Sequence, residues 1–245
     1  MMKSYSFTLK KLSHLTLIAI FLFTFSKLSF AQTKSFYEGP YVGGAVGYTK
    51  FQTTFKDPKD DDWYAIDEQG RRIYPLRFED SKITGTINAG YNWIVDKIYL
   101  LGLETEFSSG NDQQWESNRQ GSKIKSDTKF VTNLRLKFGI IQNNNLYYAS
   151  AGPAVADIKY NALWTNDEYP INISKTLYGI SYGAGVERQV DSKGSIKFEY
   201  IITDLNSTSK PYPEYDGTGC WYGSCVGPSW KTKISSIRIG YNYHF

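Results

Sequence analysis

Histidine, methionine and cysteine are nearly missing: the 245-residue chain has two of each. That scarcity removes whole classes of chemistry. His14, Met1 and Met2 lie in an amino-terminal segment expected to be removed, which leaves His244 as the one imidazole for proton transfer or ligation. Good haem ligands are correspondingly few. Two thiols with no neighbouring histidine fall short of a zinc set. The spacing in Cys220-Trp221-Tyr222-Gly223-Ser224-Cys225 is not the redox-active C-x-x-C either. No cofactor and no metal are expected.

A long apolar run is missing too. The stretch from Leu15 to Phe25 is well short of the ~20 residues that a spanning helix needs. Lys3, Lys10 and Lys11 precede it and Ser29-Phe30-Ala31 follows, the pattern of a secretory signal cut after Ala31. Residues 1–31 are therefore expected to be a signal peptide and 32–245 the mature domain. No cysteine adjoins the cut, which argues against a lipoprotein anchor. Removing Lys3, Lys10, Lys11 and Lys27, with no acid among them, takes the formal net charge from +4 to about zero. Nucleic-acid binding, which requires a basic patch on the working protein, is not expected. An exported chain meets an oxidising compartment, so Cys220 and Cys225 are expected to form a disulfide that braces the loop holding them.

What the chain does have is alternation. The ending Ile237-Arg238-Ile239-Gly240-Tyr241-Asn242-Tyr243-His244-Phe245 places Ile237, Ile239, Tyr241, Tyr243 and Phe245 on one face of a strand and Arg238, Gly240, Asn242 and His244 on the other. Eight stretches have strand character: 41–51, 82–93, 98–108, 128–141, 146–160, 176–190, 195–205 and 231–245. Short turn-forming spacers at 94–97, 142–145 and 191–194 alternate with long polar connections at 52–81, 109–127, 161–175 and 206–230. Sorting turns to one side and loops to the other is the layout of an up-and-down antiparallel barrel in a membrane, with periplasmic turns and four extracellular loops. Tyr91, Trp93, Tyr99, Tyr147, Tyr148, Tyr241, Tyr243 and Phe245 fall near the turn ends, where an interfacial aromatic girdle belongs. Pro153 is out of keeping with a closed barrel, and a local bulge is expected there.

Alternation also predicts a lumen. Glu104, Glu106, Glu187 and Glu199 face inward with Arg135, Lys137, Lys197 and Arg238. Acids and bases match in number, and unpaired buried charge is costly, so they are expected to pair as a network filling a narrow interior. The faces of the first and fifth strands, rich in glycine and alanine, stay open.

Gly39-Pro40-Tyr41-Val42-Gly43-Gly44-Ala45-Val46-Gly47-Tyr48, Gly183-Ala184-Gly185-Val186-Glu187 and Gly240-Tyr241-Asn242-Tyr243-His244-Phe245 together resemble the eight-stranded outer-membrane β-barrel family, the opacity-type and outer-membrane-protein-A-like barrels of Gram-negative bacteria. The resemblance covers the mature chain. It implies an integral, monomeric protein of the cell outer membrane, in contact with lipid and lipopolysaccharide and inserted by the barrel-assembly machinery through the terminal strand Ile237, Ile239, Tyr241, Tyr243 and Phe245. Enzymes of similar barrels use a histidine near the outer leaflet, and here His244 stands at the opposite end, so an enzyme is not expected. The expected role is structural or surface interaction, as an adhesin or surface antigen. Trp63, Tyr64, Trp115, Trp164, Tyr169, Trp221 and Tyr222 in or beside the loops are candidate contacts for an external ligand. The alternative is a small-solute, porin-like channel. Lesser motifs point nowhere firm: Asp57-Pro58-Lys59-Asp60-Asp61-Asp62 lacks a calcium-loop pattern, the acceptor triplets at Asn172 and Asn206 are uninformative, and Arg71, Arg72 and Arg77 are candidates for lipopolysaccharide phosphates.

Overall fold

A computed structural model describes residues 35–56, 65–66, 72–73, 75–116, 123–163, 171–209 and 229–245. Ser35–Phe245 forms one unit. Its strands are β1 (Gly39–Lys56), β2 (Ala65–Ile66), β3 (Arg72–Ile73), β4 (Leu76–Val95), β5 (Tyr99–Glu116), β6 (Lys123–Gln142), β7 (Asn145–Leu163), β8 (Ile171–Gln189), β9 (Gly194–Leu205), β10 (Thr208–Ser209) and β11 (Ser229–His244). No helix occurs among the described residues. Each long strand pairs antiparallel with the next, and β11 returns to β1 in a register from Tyr41↔His244 to Lys56↔Ser229. The result is a closed eight-stranded barrel of β1, β4 to β9 and β11. The β2–β3 ribbon is separate, and β10 adds a short pairing to β11.

Local chemistry sets the tight turns. Asn143 and Asn144 have φ of 49° and 63°, so both residues of the β6–β7 turn are left-handed, a conformation asparagine tolerates and a two-residue hairpin requires. Asp96 and Lys97 do the same between β4 and β5. Between β8 and β9 the Asp191 carboxylate accepts from the backbone N–H of Lys193 and Gly194 at 2.8 and 2.6 Å.

Strand faces follow one parity, but their polarity inverts part-way up. In β1 the even positions Val42, Val46 and Tyr48 are exposed and apolar, while Tyr41, Ala45 and Thr49 point inward. Beyond Thr49 the parity is unchanged and the chemistry swaps: Phe51 and Phe55 are buried inside, and Lys50 and Lys56 are exposed. In β4 the same inversion sets buried Leu76 and Phe78 beside exposed Arg77 and Glu79, with exposed Ile83 and Ile87 nearer the turn end. Apolar residues outward mark hydrocarbon, and apolar residues inward mark a water-facing segment with its own core. Most strands consequently run past the limits that apolar-out alternation indicates: β4 begins at Leu76 instead of residue 82, and β5 ends at Glu116 instead of residue 108.

Above the inversion the barrel parts. Pairing of β4 with β5 spans only Thr86↔Ser108 to Val95↔Tyr99, and pairing of β8 with β9 ends at Gly179↔Leu205. At the long-loop end two sheets, β9–β11–β1–β4 and β5–β6–β7–β8, therefore face each other. Between them lies an apolar core that includes Phe51, Phe55 and Trp230 from the first sheet and Ile124, Ile158 and Tyr160 from the second. The rings of Tyr160 and Trp230 stack at 5.6 Å.

Two expectations are corrected. Pro153 lies in β7 without a bulge: the ladder to β6 passes from Asn133↔Ala154 to Leu136↔Ala151 with equal numbers of residues on each strand. Its missing donor falls in that lapse, where Gly152 lets the Leu134 carbonyl approach too closely for any Cβ. The register shift is instead at Thr128/Phe130. Tyr148 is not in the girdle either. It is buried on the inner face of β7, because the neighbour Tyr147 has the outward parity.

Exposure to lipid rather than water is testable at paired positions. Leu136→Arg, on the outward face of β6, should destabilise the refolded protein in lipid vesicles by about 2–4 kcal/mol. Ser174→Arg, exposed beyond the inversion on β8, should change it by less than about 0.5 kcal/mol. Urea unfolding followed by tryptophan fluorescence measures both, and equal effects would overturn the placement of the lipid band.

Candidate functional site in the barrel lumen

Inward positions of β5, β6, β8, β9 and β11 bring the eight sequence-predicted charges into one volume, each at least 95% buried. Arg135 is the hub. Its Nη2 donates to Glu104 at 2.7 Å and to Glu106 at 2.9 Å, and lies 3.8 Å from Glu199. Arg238 reaches Glu106 at 2.6 Å. Lys197 bridges Glu199 at 3.3 Å and Glu104 at 3.4 Å, while Lys137 lies 3.5 Å from Glu187 and 3.8 Å from Glu104. Four carboxylate side chains meet two arginines and two lysines, and each has a partner of opposite sign within 4 Å.

Residues outside the predicted set complete the arrangement. Tyr41 donates to Glu104 at 2.9 Å and Tyr148 to Glu199 at 2.8 Å. The Lys137 ammonium sits over the Tyr148 ring at 4.3 Å and the Tyr41 ring at 5.0 Å. Asn242 donates to Glu187 at 2.9 Å, and Asn88 donates to Asn242 at 3.0 Å. Parity in β11 already put Asn242 inside. Tyr41 and Tyr148 lie on the glycine- and alanine-rich strands whose faces alternation leaves open.

The turn end is capped by residues that precede the first strand. Tyr37 is buried among Leu100, Leu146 and Tyr148. Its hydroxyl proton is shared between the carbonyls of Asn144 at 2.7 Å and Glu187 at 3.0 Å, and its oxygen accepts from the Gln189 N–H at 2.9 Å. Burial, reinforced by the Glu187 carboxylate, holds the phenol above its ordinary value, so it stays a neutral donor. The Tyr37 carbonyl in turn accepts from Asn92 at 3.1 Å. No periodic signal marks this residue, since it belongs to no strand.

Ser195, His244 and Glu187 also meet at this end, a combination that invites comparison with a hydrolytic triad. The geometry is wrong for one. Ser195 Oγ at 3.0 Å and Glu187 Oε1 at 3.2 Å both approach the same nitrogen, Nε2 of His244, and Nδ1 has no hydrogen-bond partner among the described residues. A relay needs hydroxyl and carboxylate on opposite nitrogens. The Ser195 hydroxyl donates to Glu187 itself, and the cluster is packed under Phe36, whose ring lies 4.6 Å from the imidazole. It is a structural network.

The outward residues Ile237, Ile239, Tyr241, Tyr243 and Phe245 lie along β11 and its end, and all but half-buried Tyr243 are exposed. Cys220 and Cys225 lie outside the described residues, as do Trp63, Tyr64, Arg71, Trp164, Tyr169, Trp221, Tyr222 and the signal segment. For Arg72 and Trp115 only the backbone is described. No metal-ligating cluster occurs among the described residues.

Removing the hub should be costly. Arg135→Met leaves Glu104 and Glu106 without their shared partner, and about 3–5 kcal/mol of stability should be lost. Adding Glu104→Gln should recover part of it, because a neutral amide needs no counter-ion. Urea unfolding of the refolded variants measures both steps, and an Arg135→Met protein as stable as the parent would contradict the network.

With the geometry in place, comparisons place the chain. Residues 16–245 match the family of outer membrane protein beta-barrel domains. The 31 kDa outer-membrane immunogenic protein of Brucella melitensis is 26% identical over 216 residues, covering 84% of this chain and 83% of that protein. The 22 kDa outer membrane protein of Rhizobium leguminosarum is 32% identical over 124 residues, covering 50% of this chain and 53% of that one. Among solved structures, the outer membrane protease OmpT from Escherichia coli superposes with a TM-score of 0.54 at 12% identity, over 90% of this chain and 99% of that chain, a likeness of fold alone. The chain belongs to the outer membrane protein beta-barrel domain family and is a protein of the Gram-negative outer membrane.

Proposed function

We propose that this protein is a non-enzymatic surface barrel with an occluded lumen, whose work is done by the long-loop end facing the exterior. The observation that carries the reading is the stacking of three closures along one axis. Tyr37 fills the turn end, the Arg135-centred ion network fills the middle, and the core around Phe51, Phe55 and Trp230 fills the loop end. An eight-stranded barrel is only wide enough for side chains, so removing any one closure leaves the other two. The packed two-sheet base carries the strands beyond the lipid band on the long-loop side, which suits a surface antigen or contact protein. That a relative carries the description immunogenic supports exposure of this end.

In the same reading residues 1–31 are the export signal, the protein is a monomer, and the terminal strand from Ile237 to Phe245 engages the assembly machinery. The Cys220–Cys225 disulfide stiffens the last loop. Mass spectrometry after alkylation should find both thiols blocked from reagent until the protein is reduced, and adducts on unreduced protein would refute the pairing.

Occlusion is tested by planar-bilayer recording on the refolded protein. Small or transient events are expected. Long-lived, large, porin-like steps would overturn the closed lumen and favour the small-solute channel.

A further inference from the structure

We propose that the seam between β4 and β5 is a side port, latched by Asp80 and Asn111, through which water and small uncharged polar solutes reach a chamber above the ion network. The inference rests on the occluded lumen proposed above, because a bore closed at both ends leaves the wall as its way in.

The chamber lies inside the barrel and has a volume of about 20 Å³, room for a single water at rest. Glu106, Asn133 and Arg238 form its floor, and Phe51, Val131, Ile201 and Ile234 form its roof. Arg238 Nε and Asn133 Oδ1 have no hydrogen-bond partner among the described residues, and both side chains are at least 95% buried. One is a donor and the other an acceptor, and hydroxyls of Thr49, Thr84 and Ser236 also line the space. A lining of both hydrogen-bonding senses, with Arg238 neutralised by Glu106 at 2.6 Å, selects a polar ligand without net charge.

The wall is open beside it. Ladder pairs share a face, so Asp80 opposite Phe51 and Lys82 opposite Thr49 belong to the inner face of β4. Phe51 and Thr49 are buried, as are Phe78 and Thr84 on β4, whereas Asp80 and Lys82 between them are exposed. Inner side chains meet solvent there because β5 has left: its pairing with β4 stops at Thr86↔Ser108. Gly110 gives the cause. A Cβ at Gly110 would meet the Thr128 carbonyl oxygen far inside van der Waals contact, so β5 is drawn onto β6 and away from β4. Thr86 and Ser109 line both the chamber and the outer surface, so the partition at the foot of the seam is thin. Two hydrogen bonds span the gap, from Gly85 N–H to Ser109 Oγ at 3.2 Å and from Asn111 Nδ2 to Asp80 Oδ2 at 3.1 Å. Isolated bonds to side chains at a solvent-exposed seam open far more readily than a strand ladder. The charged rim of Asp80 and Lys82 stands where the lipid band ends, so what enters comes from water.

Alkylation of the refolded mature protein in lipid vesicles tests the port. In a Cys220→Ser, Cys225→Ser background, Ser236→Cys places a thiol in the chamber wall, and Ser195→Cys places another buried thiol in the cluster under Phe36. Iodoacetamide serves as the small uncharged polar probe, and adducts are counted by mass spectrometry, each rate taken relative to the same thiol in urea-unfolded protein. Ser236→Cys should react about tenfold faster than Ser195→Cys, and a bulky biotinylated maleimide should reach neither. Adding Asp80→Ala, at an exposed position, removes the acceptor of the latch and should speed the Ser236→Cys reaction by up to about tenfold while leaving Ser195→Cys unchanged. Boiled and unboiled samples should keep the gel-migration difference of the parent, which reports the barrel independently of the port. Equal rates at the two thiols, entry of the bulky reagent, or no response to Asp80→Ala would overturn the port and leave the occluded lumen, which planar-bilayer recording tests separately, untouched.

Discussion

Hydrocarbon offers no partner to a backbone N–H or carbonyl, and every other feature of this molecule is subordinate to that constraint. The pairing of β1 with β11, from Tyr41↔His244 to Lys56↔Ser229, is what satisfies it, because without this seam two strands would present bare edges to lipid. Closure with eight strands then fixes a narrow bore. Long side chains on the inner parity have nowhere to go except into one another. Charge balance in the lumen follows from geometry, since a single unmatched ion among Glu104, Glu106, Glu187 and Glu199 would be buried alone.

The interior is built in two chemistries with one backbone. Through the lipid band the outside is apolar and the inside ionic; past Thr49 on β1 the order reverses, and Phe51 and Phe55 turn the bore into a hydrophobic core. Both halves obey the same rule, that apolar surface avoids water, but water lies on different sides in each. Once water can satisfy strand edges, closure is no longer demanded, and the barrel divides above Thr86↔Ser108 and Gly179↔Leu205 into two facing sheets. The described strands thus end in a packed platform beyond the lipid band.

Much was legible in the chain alone. Period-two alternation with a terminal aromatic, as in Ile237 to Phe245, specifies a strand with one lipid face, and the asparagines at 143 and 144 specify where it must reverse. The inward charges could be named for the same reason, since parity assigns a face without knowledge of the partner strand. Tyr148 escaped because its neighbour Tyr147 is chemically identical, so alternation carries no information at that step. The strand extensions escaped because their apolar residues occupy the opposite parity, which a search for one lipid face reads as the end of a strand.

Only the tertiary structure decided who pairs with whom. Arg238 stands directly opposite Glu199 in the ladder yet bonds Glu106 across the bore, and Lys197 faces Glu187 in register yet bridges Glu104 and Glu199. Tyr37 caps the turn end through groups more than 100 residues away in sequence. Alternation along a strand determines which side of the wall a residue occupies, because that depends on the backbone pleat alone. Contacts across the lumen depend on how eight walls curve and stagger when they close, a property of all the strands together that no single stretch of sequence contains.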